Sequence, residues 1–237
     1  MSWQTSPAPS YPQPQQYYRI NMTALTWGEI RGSSGNIVTF LVCVPILAFC
    51  KLFRIPLGGS ERFPREVSFQ TPEPATLAQR SQHVAHVLQA MQSLGFEHFT
   101  TFRVPEMPYD SLVFATLNRA ENAYACAYHV ITPVGTKVFY DFVTRLRDGG
   151  GLTSTSSREG VAVLEPEKFR RQALHGASPE ELWRAHQAKL AELAPLAGGV
   201  AGPVSADDFV EAWRRHIREV ADFQAERGVY LPAGVGQ

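Results

Sequence analysis

The stretch Ala123-Tyr-Ala-Cys-Ala-Tyr-His-Val-Ile131 carries the clearest structural pattern in the chain. Successive side chains of a strand point to opposite faces of the sheet. Tyr124, Cys126, Tyr128 and Val130 therefore share one face, and Ala123, Ala125, Ala127, His129 and Ile131 share the other. A face of alanines lets a helix lie close to the backbone. Residues 137–146 alternate in the same way, with Val138, Tyr140, Phe142, Thr144 and Leu146 opposed to Lys137, Phe139, Asp141, Val143 and Arg145. Pro133-Val-Gly135 turns the chain between the two segments.

Working outward, residues 97–104 and 112–117 read as further strands, and Asn118-Arg-Ala-Glu-Asn122 is a hairpin-length polar link. Arg147-Asp-Gly-Gly-Gly151 is a Gly-rich turn into a returning strand at 152–156, with another strand expected at 160–164. Links this short favour antiparallel pairing, because a parallel crossover needs a dozen residues or more. The pattern therefore predicts an antiparallel β-meander of about 4–6 strands.

One helix is expected before this sheet and two after it. Leu77, Val84, Val87, Leu88 and Met91 recur at helical spacing over 75–94, and Gly95 stops that helix. Ser178-Pro-Glu-Glu181 combines an N-cap serine, a proline at the first helical position and a capping-box glutamate. Ser205 and Asp208 repeat the capping pattern, Phe209, Val210, Trp213, Ile217, Val220 and Phe223 mark one face, and Gly228 ends the helix. The expected domain is α+β over 75–232, with its helices against one face of the sheet.

The part before this domain is different in composition. Residues 1–18 hold Pro7, Pro9, Pro12 and Pro14 and no charge, which predicts a disordered Pro/Gln-rich tail over 1–32. Residues 33–50 are uncharged, and the run Ile37-Val-Thr-Phe-Leu-Val-Cys-Val-Pro-Ile-Leu-Ala-Phe-Cys50 is apolar on every helical face. This predicts a single transmembrane helix over 33–54, kinked at Pro45, in contact with the lipid bilayer through 37–53. Lys51, Arg54, Arg62 and Arg65 outnumber Arg19 and Arg31, so the positive-inside rule places the C-terminal domain in the cytoplasm, at an inner or plasma membrane. Residues 55–74, rich in Pro and Gly, read as a juxtamembrane linker. A cleaved signal peptide fits poorly, because a long Pro-rich segment precedes the apolar run, and Phe49 stands where a lipoprotein signal carries a small residue. The competing reading makes 37–53 a core element of a soluble protein.

Composition excludes several functions. The 237 residues carry 22 Lys+Arg and 22 Asp+Glu, so no basic field favours nucleic acid. With 44% hydrophobic residues, the chain is neither collagen-like nor wholly disordered. Cys43, Cys50 and Cys126 form no CxxC pair and no disulfide framework. No ATP, dinucleotide, iron–sulfur or haem signature is present, and no cofactor is expected.

The residues that could carry chemistry are few. His83 and His86 share a helix face and could begin a metal site, with His129 or Glu97 as a third ligand, but helix-surface histidines explain them better. His129, Asp141 and His186 are the candidates for catalysis, His186 as a general base and Asp141 and His129 on neighbouring strands; satisfied polar groups of the sheet and helix are the simpler reading. His175 flanks the same helix as His186. The turn 148–151 could cradle an anion, although a flexible hairpin turn fits better, and Cys126 reads as a small core residue. Arg214, Arg215 and Arg218 are interleaved with acids, as on an ion-paired surface. Two functions follow: a non-enzymatic membrane-anchored protein whose domain binds a protein partner or a small apolar ligand, or a hydrolase-like enzyme with its site in the curved sheet.

Overall fold

The computed structural model of the chain describes residues 17–33, 37–53, 55, 58–107, 109–157 and 164–233. In chain order the elements are β1 (Tyr17–Asn21), α1 (Trp27–Ser33), α2 (Ile37–Leu52), β2 (Gly58–Pro64) and α3 (Pro74–Ser93). The strands β3 (Glu97–Arg103), β4 (Asp110–Asn118), β5 (Ala123–Thr132), β6 (Gly135–Arg145), β7 (Gly151–Thr155) and β8 (Phe169–Ala173) follow. Then come α4 (Pro179–Leu193), α5 (Ala206–Glu226) and β9 (Tyr230–Pro232). The fold is α+β, with a six-stranded sheet in the order β3-β4-β5-β6-β7-β8 and a three-stranded sheet in the order β2-β1-β9.

The large sheet is not a pure antiparallel meander. β3 to β7 pair antiparallel, but β8 joins β7 in parallel, Gly151 opposite Phe169 and Thr155 opposite Ala173. The chain between them, 156–168, is long enough for the crossover that a parallel pair needs. The strand expected at 160–164 lies almost wholly outside the described residues. Gly150 fixes the start of β7: a Cβ there would lie 2.0 Å from the Lys168 carbonyl oxygen, so only glycine allows the turn to approach β8.

Helices cover both faces of this sheet, not one. On the first face α3 and α4 pack Val84, Val87, Met91, Leu182 and Trp183 onto Leu112, Phe114, Phe142 and the three alanines of β5. The second face carries Tyr124, Cys126, Val113, Ala115 and Leu117, with Phe209 of α5 and Val67 packed against them. Trp213 and Ile217 of α5 extend this second core. The sheet is thus the middle of three layers. Local signals place the helices: Ser178 Oγ accepts from the Glu181 amide at 3.2 Å and Glu181 returns the bond to the Ser178 amide at 2.9 Å. Ser205 accepts from the Asp208 amide at 3.2 Å.

The N-terminal segment belongs to the fold. Residues 17–32, expected within a disordered tail, contain β1 and all of α1 but its last residue; residues 1–16 lie outside the described residues. β1 pairs with β2 on one side and with β9 on the other, so opposite ends of the chain share one sheet. Gly228, at φ 72°, makes this possible. It ends α5 in a Schellman motif, with Gly228 N donating to Ala225 O and Val229 N to Gln224 O, both at 2.9 Å. Val229 then enters a third core with Leu25, Ile30 and Leu47.

The apolar run forms α2 in place of the expected transmembrane helix. Among the described residues no helix is long and apolar enough to cross a membrane. α2 has 16 residues, about 24 Å at 1.5 Å each, short of a hydrocarbon core of about 30 Å. Leu47 and Cys50 are buried, and Leu47 packs on Leu25, Ile30 and Val229. Lys51 donates to the Thr23 carbonyl at 2.7 Å and to the Leu25 carbonyl, which ties the helix end to protein backbone. Uniform apolarity of a short run cannot separate a bilayer span from a core helix, and here a local core claims one face. The expected membrane span over 33–54 is therefore not supported, and neither is the orientation that depended on it. Leu41, Ile46, Phe49 and Leu52 remain exposed on the other side of α2.

Glu29 joins this subassembly to the end of α5. It is 4% exposed and accepts from Arg227 at 2.8 and 2.9 Å, from the Thr26 amide at 2.8 Å and from the Leu164 amide at 2.9 Å. Burial alone would raise its pKa, but Arg227 and the two amides outweigh that and hold it at about 2. The unfolded carboxyl titrates near its ordinary 4.5. Its stabilisation is therefore complete above pH about 4.5 and is lost as pH falls toward 2. Glu29→Gln should lower unfolding free energy at neutral pH by about 3 kcal/mol, measured by urea denaturation, and should flatten the pH dependence between those two values.

Candidate functional site

A cleft of about 290 Å³ lies between the second face of the sheet and α5. Strand register lays out its floor in rows. One row is Tyr128 beside Phe139; the next is Cys126, Asp141 and Thr155. Tyr124, Val143, Thr153 and Arg171 form the third, and Arg145, Gly151 and Phe169 the last. The roof is the apolar stripe of α5, with Phe209, Ala212, Trp213, His216 and Ile217 at helical spacing. Tyr128 and Phe139 stack at 4.5 Å, and His216 meets the Phe169 ring edge-on at 4.5 Å.

Three buried polar atoms in the lining residues have no hydrogen-bond partner: Asp141 Oδ1, Arg145 Nε and Arg171 Nε. Such atoms are costly unless something satisfies them. Asp141 is 8% exposed, and burial raises its pKa; bonds from Thr155 and Tyr128 and the charge of Arg171 oppose the rise only in part. Arg171 pairs with Glu165 at 2.5 Å, while Arg145 is only 3.9 Å from Asp208. Burial depresses His216 to about 4, with the Arg171 charge acting in the same direction, so its ring is neutral near pH 7. The Cys126 thiol is pushed far up by burial, beside the Asp141 charge, and is no nucleophile.

The three expected catalytic residues do not meet. Asp141 faces the cleft, whereas His129 and His186 lie on the α3/α4 side of the sheet. His186 is fully buried, with Nε2 2.9 Å from Thr144 Oγ1 and Nδ1 2.8 Å from Ser154 Oγ. A Ser–His contact of this length is the geometry of a nucleophile and its base. Here Ser154 is 0% exposed and also accepts from Gln172 at 2.7 Å, so no substrate reaches it. Two hydroxyls and a core of Phe142 and Trp183 explain the histidine. His129 Nδ1 accepts from Arg80 Nε at 2.8 Å, which puts its proton on Nε2 and removes the lone pair that a metal would need. Its ring lies 4.9 Å from that of His83, while His83, His86, Glu97 and His175 are exposed. Among the described residues no group of three or more His, Cys, Asp or Glu side chains could hold a metal ion.

The Gly-rich turn is not an anion nest. The Gly149 amide donates to Leu146, the Gly150 amide to Asp148 Oδ1 and the Gly151 amide to Lys168, at 3.2, 2.9 and 3.0 Å. On α5, Arg214 pairs with Glu211 at 3.0 Å and Arg218 with Glu66 at 3.5 Å, as expected of an ion-paired surface. Arg145, Arg171, Trp213 and His216 were not legible as site residues. The one available signal was the placement of Asp141 and Arg145 on the same face of an interior strand. Comparison with protein-family models, with curated proteins and with solved structures found no match to this chain.

Burial holds the His186 pKa at about 3, against 6.5 for a free imidazole. The unfolded chain therefore binds a proton that the folded chain refuses, and stability falls as pH drops from 6.5 toward 3. Nitrogen-detected NMR should show His186 as a single neutral tautomer at pH 5.

Proposed function

We propose that this chain is a small-molecule binding protein and that its ligand occupies the cleft between the sheet and α5. The observation that carries this reading is an aromatic cleft whose lining includes buried polar atoms without partners. Binding sites have this form, with mostly apolar walls and a few convergent polar groups, and 290 Å³ lies at the small end of their size range. The separation of Asp141 from His129 and His186 favours binding over hydrolysis. His216 is neutral and Cys126 is protonated, so the cleft has neither a charged acid nor a thiolate.

A neutral environment-sensitive dye, N-phenylnaphthylamine, should bind the native protein saturably and gain fluorescence. Ala212→Trp, which fills the roof, and Thr153→Phe, which fills the floor, should each weaken the dye by about tenfold or more with unchanged far-ultraviolet circular dichroism. Equal dye affinity in both folded variants would show that the cleft is not the site.

A further inference from the structure

The cleft has a direction. Along β6, Phe139 and Arg145 are six residues apart, about 20 Å at 3.3 Å per residue. Tyr128 and Phe139 form one end, and Trp213 approaches Tyr128 at 6.3 Å. The other end holds Arg171 and Arg145, and Arg215 of α5 also lines the cleft. Arg145 Nε and Arg171 Nε are buried donors without acceptors. Arg215 is exposed and makes no ion pair among the described residues. Against these three guanidinium groups the lining offers one carboxyl, Asp141, two rows away from Arg145 and opposed by the charge of Arg171. Glu165 neutralises Arg171 from one side only, since its bond is to a terminal nitrogen and leaves Nε free.

We propose that the cleft selects an amphiphilic anion, a carboxylate on a compact apolar body, with the head group at Arg145, Arg171 and Arg215 and the body toward Tyr128, Phe139 and Trp213. This rests on the reading of the cleft as a ligand site. Guanidinium is the side chain best shaped for a carboxylate, which it can bind through parallel N–H bonds. A carboxylate supplies the acceptors that Arg145 Nε and Arg171 Nε lack, and the aromatic end excludes water from the body. An ammonium ligand would satisfy Asp141 but would stand among three cations.

Three probes of equal chain length separate charge from burial: octanoate, octanol and octylammonium, titrated by calorimetry and by Trp fluorescence. Octanoate should bind at least about tenfold tighter than octanol, and octylammonium weakest. Arg145→Gln combined with Arg215→Gln should bring octanoate to the level of octanol and leave octanol unchanged. Arg215→Gln alone, at an exposed position, should weaken octanoate about threefold without altering octanol. Octanol binding as tightly as octanoate, or octylammonium binding tighter, overturns the charge preference while the cleft remains the site. Failure of all three to bind, together with failure of the neutral dye, overturns both.

Discussion

Everything in the large layer depends on the two-residue period of β5. Its alanines and its Tyr-Cys-Tyr series cannot exchange faces without a one-residue slip, and such a slip would put large rings under α3 and leave the α5 side without a floor. β4 and β6 hold the register along nearly their whole length, from Asn118 opposite Ala123 to Thr132 opposite Gly135. The small face brings Val84, Val87 and Met91 down onto the backbone. The large face stands α5 off the sheet on Tyr124, Phe209 and Trp213, whose rings meet at angles rather than flat. Rings packed edge to face leave gaps that aliphatic side chains would fill, and the cleft is what remains between them.

The same packing decides the chemistry of each polar group. Asp141 and His186 are both buried, yet only His186 is satisfied on both of its hydrogen-bonding atoms. A buried group with all its partners is structural; a buried group with a free atom beside a cavity is available to a ligand. This difference separates His186 from Asp141, and it rests on hydrogen-bond geometry that residue type does not reveal.

A second dependence runs through Glu29. Arg227 lies at the end of α5, and the Gly228 turn sends the chain back to pair with β1. Without a charge partner, Glu29 of α1 could not be buried against the end of α5. β1, α1 and the inner face of α2 therefore close around the end of the roof helix. An apolar run that looks like a membrane span in isolation becomes a partner of Val229.

Much of the architecture was legible from residues. The alternation in 123–131 and 137–145, the Ser178 capping box and the Ser205 cap are local patterns, and each corresponds to an element in its expected place. Local patterns also report which side chains share a face, so Asp141 and Arg145 could be placed together. They do not report which layer covers that face. The parallel β7–β8 pair, the placement of α5 opposite α3 and α4, and the burial of Leu47 all involve residues far apart in the chain, joined by contacts that no short-range period encodes. By itself the sequence determined α3, β3 to β7, α4 and α5, the faces of β5 and β6 and the neutral charge balance, because these follow from periodicity and composition; it missed β1, α1, β2, β8 and β9. The tertiary structure alone decided that α2 packs on protein, that His129 and His186 are separated from Asp141 by the sheet, and that three arginines share a cleft, because burial and proximity are properties of the folded chain.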